Sequence, residues 1–179
     1  MKRFALFALG VIAFSSTALL KAQDDADKAV LALPANLRAD ATVIKWKPDF
    51  TYDTVKEGKN AYVCYDLSGW PKHPPFMMEC TIKGNLDRVA QNLKLEAMGD
   101  KTKEAMDAAE KDGTRVKPQY GSVWYHFMGA DQEHARMHMT IAVPGATMAS
   151  TGLPEKAGSG GVWIMNAGTT TAHLMTPGE

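Results

Sequence analysis

The hydrophobic period of the chain changes twice, and this limits the folds that the chain can adopt. Segments rich in β-branched and aromatic residues occupy 41–82, a helical period follows over 85–112, and strand-like segments return over 122–175. The predicted strands are 41–47, 51–58, 61–67, 76–82, 122–128, 137–143, 162–166 and 172–175. This order predicts an α+β domain with a mainly antiparallel sheet and a helical pair packed on it.

The two predicted helices have recognisable ends. Asn85 can cap the first helix and Gly99 can end it. The second helix covers about 102–112 and shows only a thin apolar stripe, which indicates a solvated outer face. Before the first strand, residues 23–40 are predicted to begin as an acidic, solvated tail. Pro34 then prevents a long helix and allows only one or two short turns.

The N-terminus has the order of regions that is typical of a secretory signal peptide. Lys2 and Arg3 precede an apolar run over 4–14, and small residues lead to a predicted cleavage after Ala22. A membrane anchor is the alternative, but the apolar run is shorter than the roughly 20 residues that a bilayer requires. We therefore expect a periplasmic or secreted product without a membrane anchor. The full chain is predicted to consist of a signal peptide 1–22, an N-terminal segment 23–40 and a single domain 41–179.

The charge of the expected product argues against one class of partner. Loss of Lys2, Arg3 and Lys21 with the signal peptide would leave 17 basic residues against 20 acidic residues. Nucleic-acid binding requires clustered Lys and Arg, and the sequence contains no basic stripe. We therefore expect no nucleic-acid partner.

Cys64 and Cys80 are the only cysteines, and their spacing suits a disulfide. A hairpin folded about Lys72 would place them directly opposite each other, and an oxidising compartment would favour the bond. A pair of metal ligands is the alternative, although no Cys-x-x-Cys spacing is present.

The loop between the two cysteines, SGWPKHPPF, is stiffened by three prolines. It could present Trp70 and His73 as a rigid recognition site, since binding residues often lie on such loops. In the alternative arrangement, Trp70 folds back onto the core.

Alternation in the last four predicted strands places histidines and methionines together. Trp124, His126 and Met128 share one face of their strand. The corresponding sets in the later strands are His138 with Thr140, Trp163 with Met165, and His173 with Met175. If these strands are neighbours, His126, His138, His173 and Met175 could bind copper or zinc. Two alternatives stay open: these side chains fill the core, or they line a pocket for an organic ligand.

These features favour a non-catalytic binding domain for an unknown small ligand or a metal. A small hydrolase or isomerase with His138 or His173 as general base is one alternative, and it would need a carboxylate bonded to that histidine and an adjacent pocket. No Gly-x-Ser-x-Gly motif supports a serine nucleophile. A structural or interaction protein of the cell envelope, with the Trp/Met face as its contact surface, is the other alternative.

The C-terminal part of the chain resembles a family of small secreted bacterial proteins of unassigned function. The resemblance is carried by VPGATMASTGLP (143–154) and GGVWIMNAGTTTAHLMTPG (160–178), and it extends to the spaced cysteines and to the strand that contains His138. It implies an exported single domain and assigns no catalytic residue. The TTT turn at 169–171 departs from the bulkier turn expected in that family.

Overall fold

All eight predicted strands are present in the computed structural model, which describes residues 23–158 and 160–177. The predicted signal peptide 1–22 lies outside the described residues. The strands are β1 (Thr42–Trp46), β2 (Tyr52–Lys56), β3 (Tyr62–Asp66), β4 (Phe76–Ile82), β5 (Val123–Gly129), β6 (Arg136–Ala142), β7 (Trp163–Met165) and β8 (His173–Met175).

The strands form one sheet in the order β2-β1-β3-β4-β5-β6-β8-β7. Only the β1–β3 pairing in this sheet is parallel, and the other neighbouring strands run antiparallel. The mainly antiparallel sheet of a single domain is therefore confirmed. The last four strands are neighbours, which brings their alternating faces into register.

Short helices flank the sheet. They are α1 (residues 23–29 of the described chain), α2 (Ala35–Arg38), α3 (Leu86–Glu96), α4 (Thr102–Lys111) and α5 (Met148–Thr151). Three 3₁₀ turns accompany them at Val30–Ala32, Lys83–Asn85 and Gly99–Lys101. Among the described residues, no helix is long and apolar enough to cross a membrane.

Helix α3 packs on one face of the sheet. Its Leu86, Val89 and Leu93 side chains belong to a buried cluster with sheet residues that include Tyr65 and Met77. Helix α4 contacts α3 and buries none of its own residues. The packing of α3 therefore follows from its apolar stripe.

Asn85 occupies the N-cap position of α3, as predicted, but its side chain makes no capping hydrogen bond. Its buried amide nitrogen donates hydrogen bonds to Thr81 Oγ1 and Ser122 Oγ, both at 2.9 Å. Its amide oxygen accepts a hydrogen bond of 2.8 Å from the Gln119 backbone N–H. Asn85 therefore ties the start of α3 to β4 and to the segment before β5.

The opposite face of the sheet is covered by the N-terminal segment, which was predicted to start as a solvated tail. Ala26, Ala29, Val30 and Leu33 are buried there in one cluster with sheet residues. Their spacing matches one side of a helix, which allows the acidic residues between them to stay exposed. Gln23, Asp24 and Asp25 are exposed, as predicted, but the segment belongs to the core from Ala26 onward.

The disulfide between Cys64 and Cys80 is present, as predicted. The two residues are direct partners in the β3–β4 register, with their Cα atoms 4.1 Å apart. Both are fully buried beneath the N-terminal segment. The bond therefore links two strands at the centre of the sheet.

Candidate functional site

A cavity of about 290 Å³ lies between α3 and the sheet. Helix α3 supplies a stripe of side chains at helical spacing, and the sheet supplies the floor. Most of the exposed wall is apolar, and polar and charged side chains also line the space, a combination found in small-molecule sites. The apolar contributors are Leu67, Met77, Val89, Leu93, Pro118, Trp124, Ala142 and Ala172.

Strand register places four polar side chains in a row across the sheet. Tyr65 pairs with Glu79, Glu79 pairs with His126, and His126 pairs with His138. The Tyr65 hydroxyl donates a hydrogen bond of 2.6 Å to Glu79 Oε1. Glu79 Oε2 lies 3.0 Å from His126 Nδ1, which is an ion-pair distance, although this nitrogen does not meet hydrogen-bond geometry. Glu79 and His126 both line the cavity floor.

The carboxyl group of Glu79 is only 6% exposed, yet it favours its charged form. Burial alone raises its pKa, but the His126 ring, the Tyr65 hydroxyl and the charge of His73 together hold that pKa below its ordinary value. The pKa of Tyr65 is raised well above its ordinary value by burial and by the neighbouring Glu79 charge. At neutral pH the floor therefore carries a buried carboxylate next to a neutral phenol.

His138 lies at the end of this row, outside the cavity lining. Its ring stacks on the His126 ring with centroids 5.9 Å apart and an interplanar angle of 27°. Burial, the charge of His126 and the charge of His173 lower the pKa of His138. This environment favours a neutral imidazole at position 138.

His173 and Met175 lie on the same face as His126 and His138. In the β6–β8 register His173 is the partner of Ala142. The His173 ring lines the cavity, and its Nδ1 lies 2.7 Å from the Thr171 carbonyl oxygen. Among the described residues, a carboxylate contact of the kind required by the enzyme hypothesis is made by His126 and by His73, and not by His138 or His173.

The four predicted metal ligands lie on one face of the sheet, but the described residues do not provide a complete set of metal ligands. In the part of the chain that the structure describes, no group of three or more His, Cys, Asp or Glu residues could hold a metal ion. Copper or zinc binding through His126, His138, His173 and Met175 stays a prediction.

The proline-rich loop closes one end of the cavity. His73 Nε2 lies 3.0 Å from Glu96 Oε2 at the C-terminal end of α3, and His73 Nδ1 lies 3.2 Å from the Met77 sulfur. Trp70 packs against the cluster beneath α3, as the alternative arrangement predicted. His73 therefore contributes to the cavity wall, while Trp70 anchors the loop.

The His73–Glu96 pair makes this wall sensitive to pH. Burial lowers the pKa of His73, but the hydrogen bond and charge of Glu96 outweigh burial and raise that pKa above 6.5. A raised histidine pKa adds stability that is fully present below the unfolded pKa and is lost as pH rises through the folded pKa. We expect the stability difference between wild type and Glu96→Gln to shrink as pH rises through this range.

Urea unfolding at several pH values measures this difference, and NMR titration of His73 measures its pKa. Replacement of the exposed Glu104 by Gln is the matched control on the neighbouring helix, and it should leave the His73 titration unchanged. A His73 pKa that is the same in wild type and Glu96→Gln would contradict the expectation.

Two buried arginines lie at the other end of the cavity. Arg88 lines the cavity, and Arg115 lies close enough to affect its charge. Burial first and Arg115 second lower the pKa of Arg88 to about 10, so Arg88 is charged at neutral pH. Glu110 accepts hydrogen bonds of 2.6 Å from the backbone N–H and the hydroxyl of Thr170, which also contacts Arg88.

Glu79, Arg88 and Glu96 were not among the site residues predicted from the sequence. Glu79 had a detectable signal, because it is the only charged residue in the apolar segment FMMECTI. A lone carboxylate in a buried strand requires a partner, and such groups are frequent at functional sites. The partners of Arg88 come from positions more than 25 residues away, so local sequence carried no signal for that site.

The comparisons with known proteins give no relative from which a role could be transferred. No protein-family model, curated protein or solved structure matches this chain. No residue of this chain therefore takes a role from a known protein.

Proposed function

We propose that this chain is an exported, non-catalytic binding protein whose ligand is a small organic molecule in the cavity between α3 and the sheet. The observation that carries the proposal is a cavity of about 290 Å³ with largely apolar walls and a buried carboxylate, Glu79, on its floor next to His126. An apolar cavity of roughly 150 Å³ accommodates benzene, so this cavity has room for a substituted ring.

The polar groups of the cavity suit recognition of an organic ligand. His126 uses Nδ1 toward Glu79, which leaves Nε2 as the ring nitrogen that a ligand can use. Polar groups at fixed positions in an apolar site orient a ligand and provide specificity. The second helix of the predicted pair, α4, would support α3 from outside.

Export is part of the proposal. The signal-like N-terminus supports it, and a buried disulfide suits an oxidising compartment. The resemblance to small secreted bacterial proteins points in the same direction.

A neutral aromatic probe tests the cavity. We expect benzamide to bind and to shift the NMR signals of the Trp124 indole and the Met77 methyl group, because both side chains line the cavity. The signals of Trp163 and Met165, which lie outside the lining, should not move. Shifts confined to Trp163 and Met165, or no binding, would contradict the proposal.

Two buried alanines provide a matched pair of variants. Ala142 and Ala146 are 3% and 8% exposed, and of the two only Ala142 lines the cavity. Ala142→Val should weaken benzamide binding at least threefold by reducing the free volume, whereas Ala146→Val should not. Equal effects of the two variants would count against the cavity as the binding site.

Metal uptake by the same protein distinguishes the metal hypothesis from the proposed organic ligand. Stoichiometric copper or zinc uptake that is lost in a His126→Gln/His138→Gln variant would favour metal handling instead. Benzamide binding without metal uptake would favour the organic ligand.

An acid–base enzyme is the second candidate function, favoured by the contact between Glu79 and His126 beside the cavity.

A further inference from the structure

Arg88 lines the cavity, and its charged guanidinium is hydrogen-bonded only to neutral groups among the described residues. It is 3% exposed, and its guanidinium donates hydrogen bonds to the Val116 carbonyl oxygen and to the hydroxyl oxygens of Thr170 and Thr171. A guanidinium has five N–H donors, and these three contacts leave two of them. Arg88 is therefore held in place, and two of its N–H groups are available to a ligand.

The positive charge at this end of the cavity is not neutralised by direct contact. Arg115 is also buried, and it donates to the side-chain oxygens of Gln91 and Asn92. Among the described residues neither arginine forms an ion pair with a carboxylate. Buried charges are normally paired, because burial without a counter-charge is costly. Glu110 and Glu96 offset part of this cost through space without forming an ion pair with either arginine, and an anion in contact with Arg88 would lower it further.

We propose that Arg88 binds a carboxylate group of the ligand, so that the cavity selects small organic monocarboxylates with an apolar body. This inference rests on the proposed binding function and names the chemical class of its ligand. The two oxygens of a carboxylate match the planar fork of a guanidinium. The apolar walls formed by Leu93, Met77 and Trp124 suit the rest of such a molecule.

The other charges of the cavity favour a single negative charge on the ligand. The carboxyl groups of Glu79 and Glu96 both line the cavity. They would repel a second negative charge on the ligand, since like charges in a partly buried site interact strongly. A phosphate monoester, which carries close to two negative charges at neutral pH, is therefore disfavoured relative to a carboxylate.

Calorimetric titration with benzoate, benzamide and phenyl phosphate at pH 7.5 tests this inference on the purified protein. Benzoate and benzamide have nearly the same shape, so their difference reports the charge. We expect benzoate to bind at least about tenfold more tightly than benzamide, as for a charge-assisted hydrogen bond. Phenyl phosphate should bind more weakly than benzoate.

Variants assign the preference to Arg88. Arg88→Gln should bind benzoate and benzamide equally, and Arg88→Lys should keep a reduced preference. Arg115→Gln is the matched control, because it removes a buried arginine that does not line the cavity, and it should keep the preference. The comparison of benzoate with benzamide on wild type decides the inference even if Arg88→Gln does not fold.

The outcomes separate this inference from the proposed function. Equal affinity of wild type for benzoate and benzamide would overturn the carboxylate site and leave the cavity proposal intact. Tighter binding of phenyl phosphate than of benzoate would overturn the choice of a carboxylate. No binding of any of the three compounds would overturn both proposals.

Discussion

Replacement of Glu79 by alanine is expected to lower the free energy of unfolding by roughly 3–5 kcal/mol. The substitution removes the buried acceptor of the Tyr65 hydroxyl and the carboxylate that lies 3.0 Å from His126 Nδ1. The Tyr65 hydroxyl and the Nδ1 atom of His126 would stay buried, and a buried polar group without a partner costs more than its hydrogen bond contributes. Urea unfolding at pH 7 measures the effect. Alanine at the exposed Glu57 is the control and should change stability by less than about 0.5 kcal/mol.

The pH dependence of this effect identifies the charge of Glu79 as its cause. Glu79→Gln keeps the size of the side chain and removes its titration. Because the folded-state pKa of Glu79 is lowered, its charge contributes stability above its ordinary pKa of 4.5, and this contribution is lost as pH falls through the folded pKa. The advantage of wild type over Glu79→Gln should therefore be present at pH 7 and decline below pH 4.5. A constant difference across this range would show that the charge of Glu79 is unimportant.

Removal of the disulfide in a Cys64→Ala/Cys80→Ala variant is expected to cost about 3 kcal/mol of stability. The bond closes a loop with a sequence separation of 16 residues, and it restricts the unfolded chain more than the folded chain. Chemical unfolding of wild type with and without reductant, next to the double variant, measures the cost. The reduced wild type should be destabilised, and the double variant should not respond to reductant.

Benzamide binding should survive loss of the disulfide. Cys80 follows Glu79 directly in β4, so its side chain points to the opposite face of the sheet, under the N-terminal segment. A double variant that is as stable as wild type would contradict a stabilising role for the bond. A double variant that folds but no longer binds benzamide would contradict the conclusion that the disulfide and the cavity lie on separate faces of the sheet.

Much of the fold could be predicted because its signals are local. Enrichment in β-branched and aromatic residues identified the eight strands, and a helical period identified α3 and α4. The positions of Cys64 and Cys80 on either side of Lys72 predicted both the β3–β4 hairpin and the disulfide. Alternation predicted which residues share a face within each strand, and the β5–β6 register placed His126 and His138 on the same side of the sheet, as expected if these strands were neighbours.

The role of the N-terminal segment was harder to predict. Acidic residues at 24, 25 and 27 suggested a solvated tail, yet Ala26 and Ala29 are fully covered by the sheet. Small apolar residues give a weak signal in a short segment, and tertiary contact decides whether they are buried.

The sequence by itself determined the strands, helices α3 and α4, the disulfide and the residues that share a face with each histidine within its strand, because each depends on neighbours along the chain or on simple parity. Only the tertiary structure decided the row from Tyr65 through Glu79 to His126, because strand order and register brought these residues together. It also decided the surroundings of Arg88, whose partners come from two distant loops. Long-range packing, which local periodicity does not encode, created the cavity between them.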